Sequence, residues 1–146
     1  MVLGLFGESC TGKSTIADEI KKRMEVQIFS GKDYLRFAKN EEEARRLFIV
    51  FLESHETTDD LIIYITAEKE QLSLIPKKAV RILVTADLDT IKERFSKRMK
   101  GNLPGPVAAM LERNHGMFSN ELYDLSINNT IETTSDSADK ILSFLK

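Results

Sequence analysis

The stretch GESCTGKS, residues 7–14, constrains the chain more than any other. It fits the spacing G-x-x-x-x-G-K-[ST]. The apolar run VLGLF (2–6) stands directly before it and reads as a buried strand. Directly after it, KSTIADEIKKRM (13–24) places Ile16, Ile20 and Met24 at steps of four, the mark of an amphipathic helix. Between a strand and a helix, such a loop bends so that successive backbone N–H groups point inward around a phosphate. The helix start adds free N–H groups and the positive end of its dipole. Gly7, Glu8, Ser9, Cys10, Thr11, Gly12, Lys13, Ser14 and Thr15 are therefore expected to wrap the phosphates of ATP. Lys13 would reach the β- and γ-phosphates, and the Ser14 hydroxyl would ligate Mg2+. The competing reading is a plain Gly/Ser-rich turn, and both flanks argue against it.

The rest of the chain alternates strand and helix patterns. VQIFS (26–30), LIIYITA (61–67), AVRILVTA (79–86) and YDLSINN (123–129) read as strands, the middle two apolar enough to be covered on both faces. NEEEARRLFIVFLES (40–54) carries Ala44, Leu47, Phe48, Phe51 and Leu52 at helical spacing, with Asn40 and Glu43 as a capping-box-like start. LDTIKERFSKRM (88–99), VAAMLERNHGMF (107–118) and SDSADKILSFLK (135–146) complete the helices, the last with Ser135 as its expected cap. KGNLPGP (100–106) is a breaker cluster. The pattern predicts an α/β three-layer sandwich: a five-stranded parallel sheet with helices on both faces. Ligands bind such sheets beyond the carboxyl ends of the strands. No repeat, linker or low-complexity tract divides residues 1–146, so one domain is expected.

Composition narrows the class. A net charge of −2 provides no blanket attraction to nucleic acid or acidic membranes. No apolar segment reaches the ~18–20 residues of a membrane span. Met1 leads straight into the first strand without a basic n-region, and one cysteine makes no internal disulfide. A cytoplasmic setting is the expectation, with a small-molecule partner and no inference on oligomeric state. Cys10 reads either as a small side chain filling the loop or as a thiol activated by the field of Lys13.

The D-x-x-G and N-K-x-D patterns of GTPases are absent, and the nearest acid to the third strand, Glu68, lies just past its end. The ordered series ILVTADLDTIKERFSKRM, the Pro/Gly break, VAAMLERN and ELYDLSINN resembles the C-terminal half of the nucleoside monophosphate kinase superfamily, most closely the R…R…R…E…YD…N pattern of guanylate kinase. That resemblance covers residues 2–16 and about 80–146. It implies a short lid over about 99–118, lid arginines at Arg94, Arg98 and Arg113, and a last loop, containing Asn129, that cradles the base of ATP. Arg94 and Arg98, four apart, project together on one helix stripe. Guanidinium forks suit the charge that spreads over a phosphoryl group in flight. Solvated helix charges remain the plainer reading of the same arginines.

The resemblance puts the acceptor over the segment after the second strand, about 30–56. Asp33 would orient or deprotonate the acceptor, with Tyr34 and Arg36 binding it; GKDYLRF partly matches the guanylate kinase G-x-D-Y-x-F, with one extra residue. The T-T-R-x-x-R segment that grips an acceptor phosphate is absent, and only residues 31–60 separate the second and third strands. The acceptor pocket is thus reduced. The expected activity is transfer of the γ-phosphoryl of ATP to a nucleotide, nucleoside or similar small acceptor. The alternative is a nucleotide-binding regulator or slow NTP hydrolase that keeps the loop and has lost transfer. A kinase of nucleic-acid ends lacks the basic footprint it would need.

Overall fold

The computed structural model describes all 146 residues. The strands are β1 (Val2–Phe6), β2 (Val26–Ser30), β3 (Leu61–Thr66), β4 (Val80–Thr85) and β5 (Leu125–Asn128). All pair in parallel, in the order β2-β3-β1-β4-β5. The apolar runs of β1 and β3, β3 rich in isoleucine, explain their central place, since both are buried along their whole length. The strand order puts the loop after β1 at the middle of the carboxyl edge, flanked by the ends of β3 and β4.

The helices are α1 (Lys13–Arg23), α2 (Glu41–Ser54), α3 (Leu88–Arg98), α4 (Gly105–Asn114) and α5 (Thr134–Leu145), with short 3-10 helices at Asp33–Phe37 and Lys69–Leu74. The two sheet faces have different cores. On the α1/α5 face, aliphatic side chains meet: Leu3, Leu5, Ile16, Ile20, Ile63, Ile82 and Ile141. On the α2 face, Tyr34, Phe48 and Tyr64 are buried, with Phe29, Phe37 and Phe51 packed edge-on around them.

Several local expectations hold and some shift. Asn40 caps α2, its Oδ1 accepting from the Glu43 N–H at 3.0 Å, while the Glu43 carboxylate turns to Arg46 instead of closing the box. The cap of α5 is Thr133, not Ser135; the Thr133 hydroxyl accepts from the Asp136 N–H, and the Ser135 hydroxyl accepts from Arg23. The helix expected over 107–118 runs from Gly105 to Asn114, because Pro106 suits the first turn of a helix and Gly116, at φ 80°, turns the chain out of it. The stretch expected to act as a lid is thus in large part a docked helix, anchored by the buried Leu111 and Phe118. No helix is long and apolar enough to cross a membrane.

Candidate functional site

The loop between β1 and α1 closes on itself. Lys13 is buried, and its Nζ donates to the Gly7 carbonyl (2.9 Å), the Glu8 carbonyl (2.6 Å) and the Thr11 hydroxyl (3.3 Å). The Thr11 hydroxyl in turn donates to the Glu8 carbonyl. The ammonium occupies the interior of the ring that its backbone forms. Burial lowers the Lys13 pKa to about 8, and the positive charge of Arg98 acts in the same direction.

The loop is pinned from behind. The Asn129 amide donates to the Thr11 carbonyl at 2.9 Å, and its oxygen accepts from the Ser137 hydroxyl at 3.0 Å. Gly12 has φ 95°, and a Cβ built there would lie 2.1 Å from Asn129 Nδ2. Only glycine allows both the left-handed backbone and that close approach. Arg94 adds a second pin: its guanidinium donates to the Cys10 carbonyl (3.1 Å) and the Asn129 carbonyl (3.0 Å). A third tie comes from the far side, where the Glu8 carboxylate accepts from His115 Nδ1 (3.0 Å) and the Gly116 N–H (3.1 Å).

In front of the loop lies a cleft of about 310 Å3. Ser9, Cys10, Gly12, Lys13, Ser14 and Thr15 form one wall, Ser30, Gly31, Thr66, Ala67, Glu68 and Gln71 form the other, and Arg98 reaches in from the end of α3. The far wall is a hydrogen-bonded circuit. The Glu68 N–H donates to the Thr66 hydroxyl (3.1 Å), that hydroxyl donates to Gln71 Oε1 (2.5 Å), and Gln71 Nε2 donates back to Glu68 Oε2 (3.2 Å). The Tyr64 hydroxyl donates to the Gly31 carbonyl at 2.7 Å, and burial holds that phenol protonated well above its ordinary range.

The candidate residues therefore separate into three groups. Ser9, Cys10, Gly12, Lys13, Ser14, Thr15 and Arg98 line the cleft, whereas Gly7, Glu8 and Thr11 of the same loop do not. Arg94 and Asn129 do not line it; their polar groups are spent on the loop's backbone, so the four-residue spacing of Arg94 and Arg98 does not bring both to the cleft. Arg113 is exposed at the end of α4 and makes no hydrogen bond or ion pair. Tyr34 is also corrected. It is 1% exposed in the aromatic core, its hydroxyl donates to Glu41, and Arg45 sits over its ring. Asp33 lies outside the cleft lining, because Gly31 (φ 52°) turns the chain back and Asp33 accepts from the Ser30 N–H at 2.9 Å. Arg36 folds over Asp33 and the Phe29 ring. Cys10 is 5% exposed and belongs to an apolar cluster with Ala86, Ile91 and Leu111, which supports the reading of it as a filler.

The sequence singles out Glu68 as the nearest acid to the third strand, but not Gln71 or Thr66. The 3-10 helix after it, which brings Gln71 back under the carboxylate, leaves no periodic trace.

No protein-family model matches the chain, and no curated protein sequence matches it. Solved structures do. A shikimate kinase from Acinetobacter baumannii in complex with shikimate superposes with a TM-score of 0.68 at 14% identity, covering 99% of this chain and 92% of that one. The YorR protein from Bacillus subtilis, in complex with phosphorylated GDP, gives 0.65 at 21%, covering 99% and 95%. A gluconokinase from Sinorhizobium meliloti 1021 gives 0.63 at 11%, covering 99% and 90%. At these identities the likeness establishes the fold, which is that of P-loop kinases. It does not single out the guanylate kinases.

Proposed function

We propose that the protein is a phosphotransferase that moves the γ-phosphoryl group of ATP to a small acceptor. One observation carries this reading: a single cleft is lined by the phosphate-loop residues Lys13 and Ser14, by a second polar wall and by Arg98. A nucleotide binder that only senses its ligand has no need of that second wall. The shikimate kinase and gluconokinase neighbours support the class of reaction. Of the four residues taken from the guanylate kinase-like series, Arg98 lines the cleft, and Arg94, Arg113 and Asn129 do not.

The residues also suit Mg2+. Ser14 and Thr15 offer hydroxyl oxygens to the cleft and Glu68 a carboxylate. When bound, Mg2+ would supply charge neutralisation at the β- and γ-phosphates. Lys13 would leave the loop carbonyls for the phosphates, whose charge favours the ammonium. Arg98 would meet the charge that develops on the transferring group.

Coupled measurement of ADP release over panels of nucleosides, nucleotides, sugars and small metabolites tests the proposal. Acceptor-dependent turnover is expected, and Arg98→Ala should reduce it strongly while ATP still binds. Tight ATP binding with slow hydrolysis that no acceptor stimulates would instead establish the regulator or slow hydrolase. That second reading draws support from Asp33, which is held away from the cleft.

A further inference from the structure

We infer that two copies of this chain associate through the amino ends of their sheets, at the opposite end of the molecule from the cleft. The strand order, β2-β3-β1-β4-β5, is symmetric about β1. A twofold axis perpendicular to the sheet, just beyond the amino end of β1, inverts a second copy and reverses its strand order. Its β4 then stands opposite β3 of the first copy, and its β5 opposite β2. What precedes each strand therefore decides whether this end of the molecule fits itself.

The charges fit. The turn into β3 carries Glu53, Glu56, Asp59 and Asp60, and none of these carboxylates makes an ion pair or accepts a hydrogen bond. The Met1 ammonium donates to backbone carbonyls of that turn, at His55, Thr58 and Asp60, and Arg23 nearby is paired with Glu19 and Asp139. With the Met1 ammonium and Lys146 included, the turn stays net negative. The segment into β4 carries the opposite sign. Lys77 and Lys78 are exposed and unpaired, and the Arg81 guanidinium donates to the Ile75 carbonyl with no carboxylate on it. The acids beside them are occupied: Asp124 accepts from the Arg81 backbone N–H, and Glu121 pairs with Lys69. Strand spacing puts β3 and β4 about 10 Å apart across β1. An acidic and a basic patch so placed attract each other between copies once the order is reversed, and each contact occurs twice.

Apolar surface matches in the same way. Met24 is exposed just before β2. Leu122, 86% exposed, and Tyr123 stand just before β5, next to Phe144 on the last turn of α5. These three line an open groove of about 550 Å3 with Lys77, Lys78 and Arg81. Grouped apolar side chains rimmed by charge mark a contact surface, because covering them removes hydrocarbon from water. The reversed order brings Met24 of one copy to Leu122 and Tyr123 of the other. A membrane is the rival for a basic, apolar face, but anionic lipid would repel the acidic turn two strands away. The clefts, at the carboxyl ends of the strands, open away from the contact, so pairing leaves them accessible.

Sedimentation velocity of the full chain from about 1 to about 100 μM tests the pairing. The parent should run as a concentration-dependent dimer, weakened about tenfold or more between about 0.05 and about 0.5 M salt. Lys77→Glu combined with Lys78→Glu should be monomeric, and so should Glu53→Lys combined with Asp59→Lys, because each sets like charges together. Mixed in equal amounts, the two variants should form a dimer again, since every reversed patch then meets its opposite. Leu122→Ser should weaken the parent dimer about tenfold or more. All five side chains are exposed, so each variant should keep the parent's far-ultraviolet circular dichroism and ATP affinity. A parent that stays monomeric to about 100 μM, a dimer indifferent to either reversal, or a mixture that stays monomeric overturns the proposal. A monomer that co-sediments with phosphatidylserine vesicles would give the face to a membrane and overturn it as well.

Discussion

The two walls of the cleft are built by different means. The loop wall has little core of its own, and polar side chains hold it: Asn129 on Thr11 and Arg94 on Cys10 from elsewhere in the chain, and the loop's own Glu8 on the turn at His115. The opposite wall rests on a solid aromatic layer, Phe29, Phe37, Phe48, Phe51, Tyr34 and Tyr64. Hydrogen bonds fix direction, which suits the phosphate nest proposed for the loop. Aromatic packing fixes volume, which suits the acceptor pocket proposed opposite it. The contrast predicts that damage to one wall is felt as affinity and damage to the other as stability.

The largest effect should come from Phe48→Ala, which empties the centre of the aromatic layer. About 3–5 kcal/mol of stability should be lost in denaturant unfolding, while ATP affinity of the folded fraction stays the same. An equal fall in affinity would break the contrast. Next, Lys13→Ala should weaken ATP binding by about 100-fold, near 2.7 kcal/mol, by calorimetry. The same lysine gives a pH signature. Its pKa is about 8 in the folded chain against an ordinary 10.5, so the unfolded chain holds more protons between those values. Stability of the parent should therefore rise from pH 8 towards 10.5, and Lys13→Ala should lack that rise. ATP affinity of the parent should fall above pH 8, as the ammonium that the phosphates favour is lost.

Asn129→Ala comes third, at about 1–3 kcal/mol, because the Thr11 carbonyl and Ser137 hydroxyl both lose a buried partner. Amide exchange across residues 9–13 should quicken and ATP affinity should drop, which would show that the pin serves the nest. The smallest effect is expected from Tyr34→Phe, about 1 kcal/mol, with the KM for the acceptor unchanged. A shifted KM would return Tyr34 to the acceptor site.

What was legible in the sequence follows the same division. VLGLF, GESCTGKS and the stripe of α1 place the loop wall, because a backbone nest depends on residue types at fixed spacing. The β-branched runs of β3 and β4 locate the sheet, since burial on both faces leaves a continuous apolar signature. Arg94 and Asn129 show where this kind of reading stops. Their spacing is the same whether they face a nucleotide or the back of the loop, and only the turn after β5 decides it. Tyr34 and Asp33 were misplaced because the Gly31 turn rotates the segment after β2 by an amount no periodicity records. Glu68 is legible as the nearest acid to β3, but its tie to Gln71 is not, because the 3-10 helix of six residues that brings Gln71 back leaves no periodic trace.

The close approach of Gly12 and Asn129 has a consequence for how this sequence can change over time. A side chain at 12 collides with the amide at 129, and a smaller residue at 129 releases the loop that 12 belongs to. The two constraints are not symmetric: a smaller residue at 129 removes the collision but leaves the left-handed backbone at 12, which strains any L side chain. Position 12 is therefore closed to change even in a lineage where 129 has drifted, whereas 129 can change at the cost of the loop's anchor.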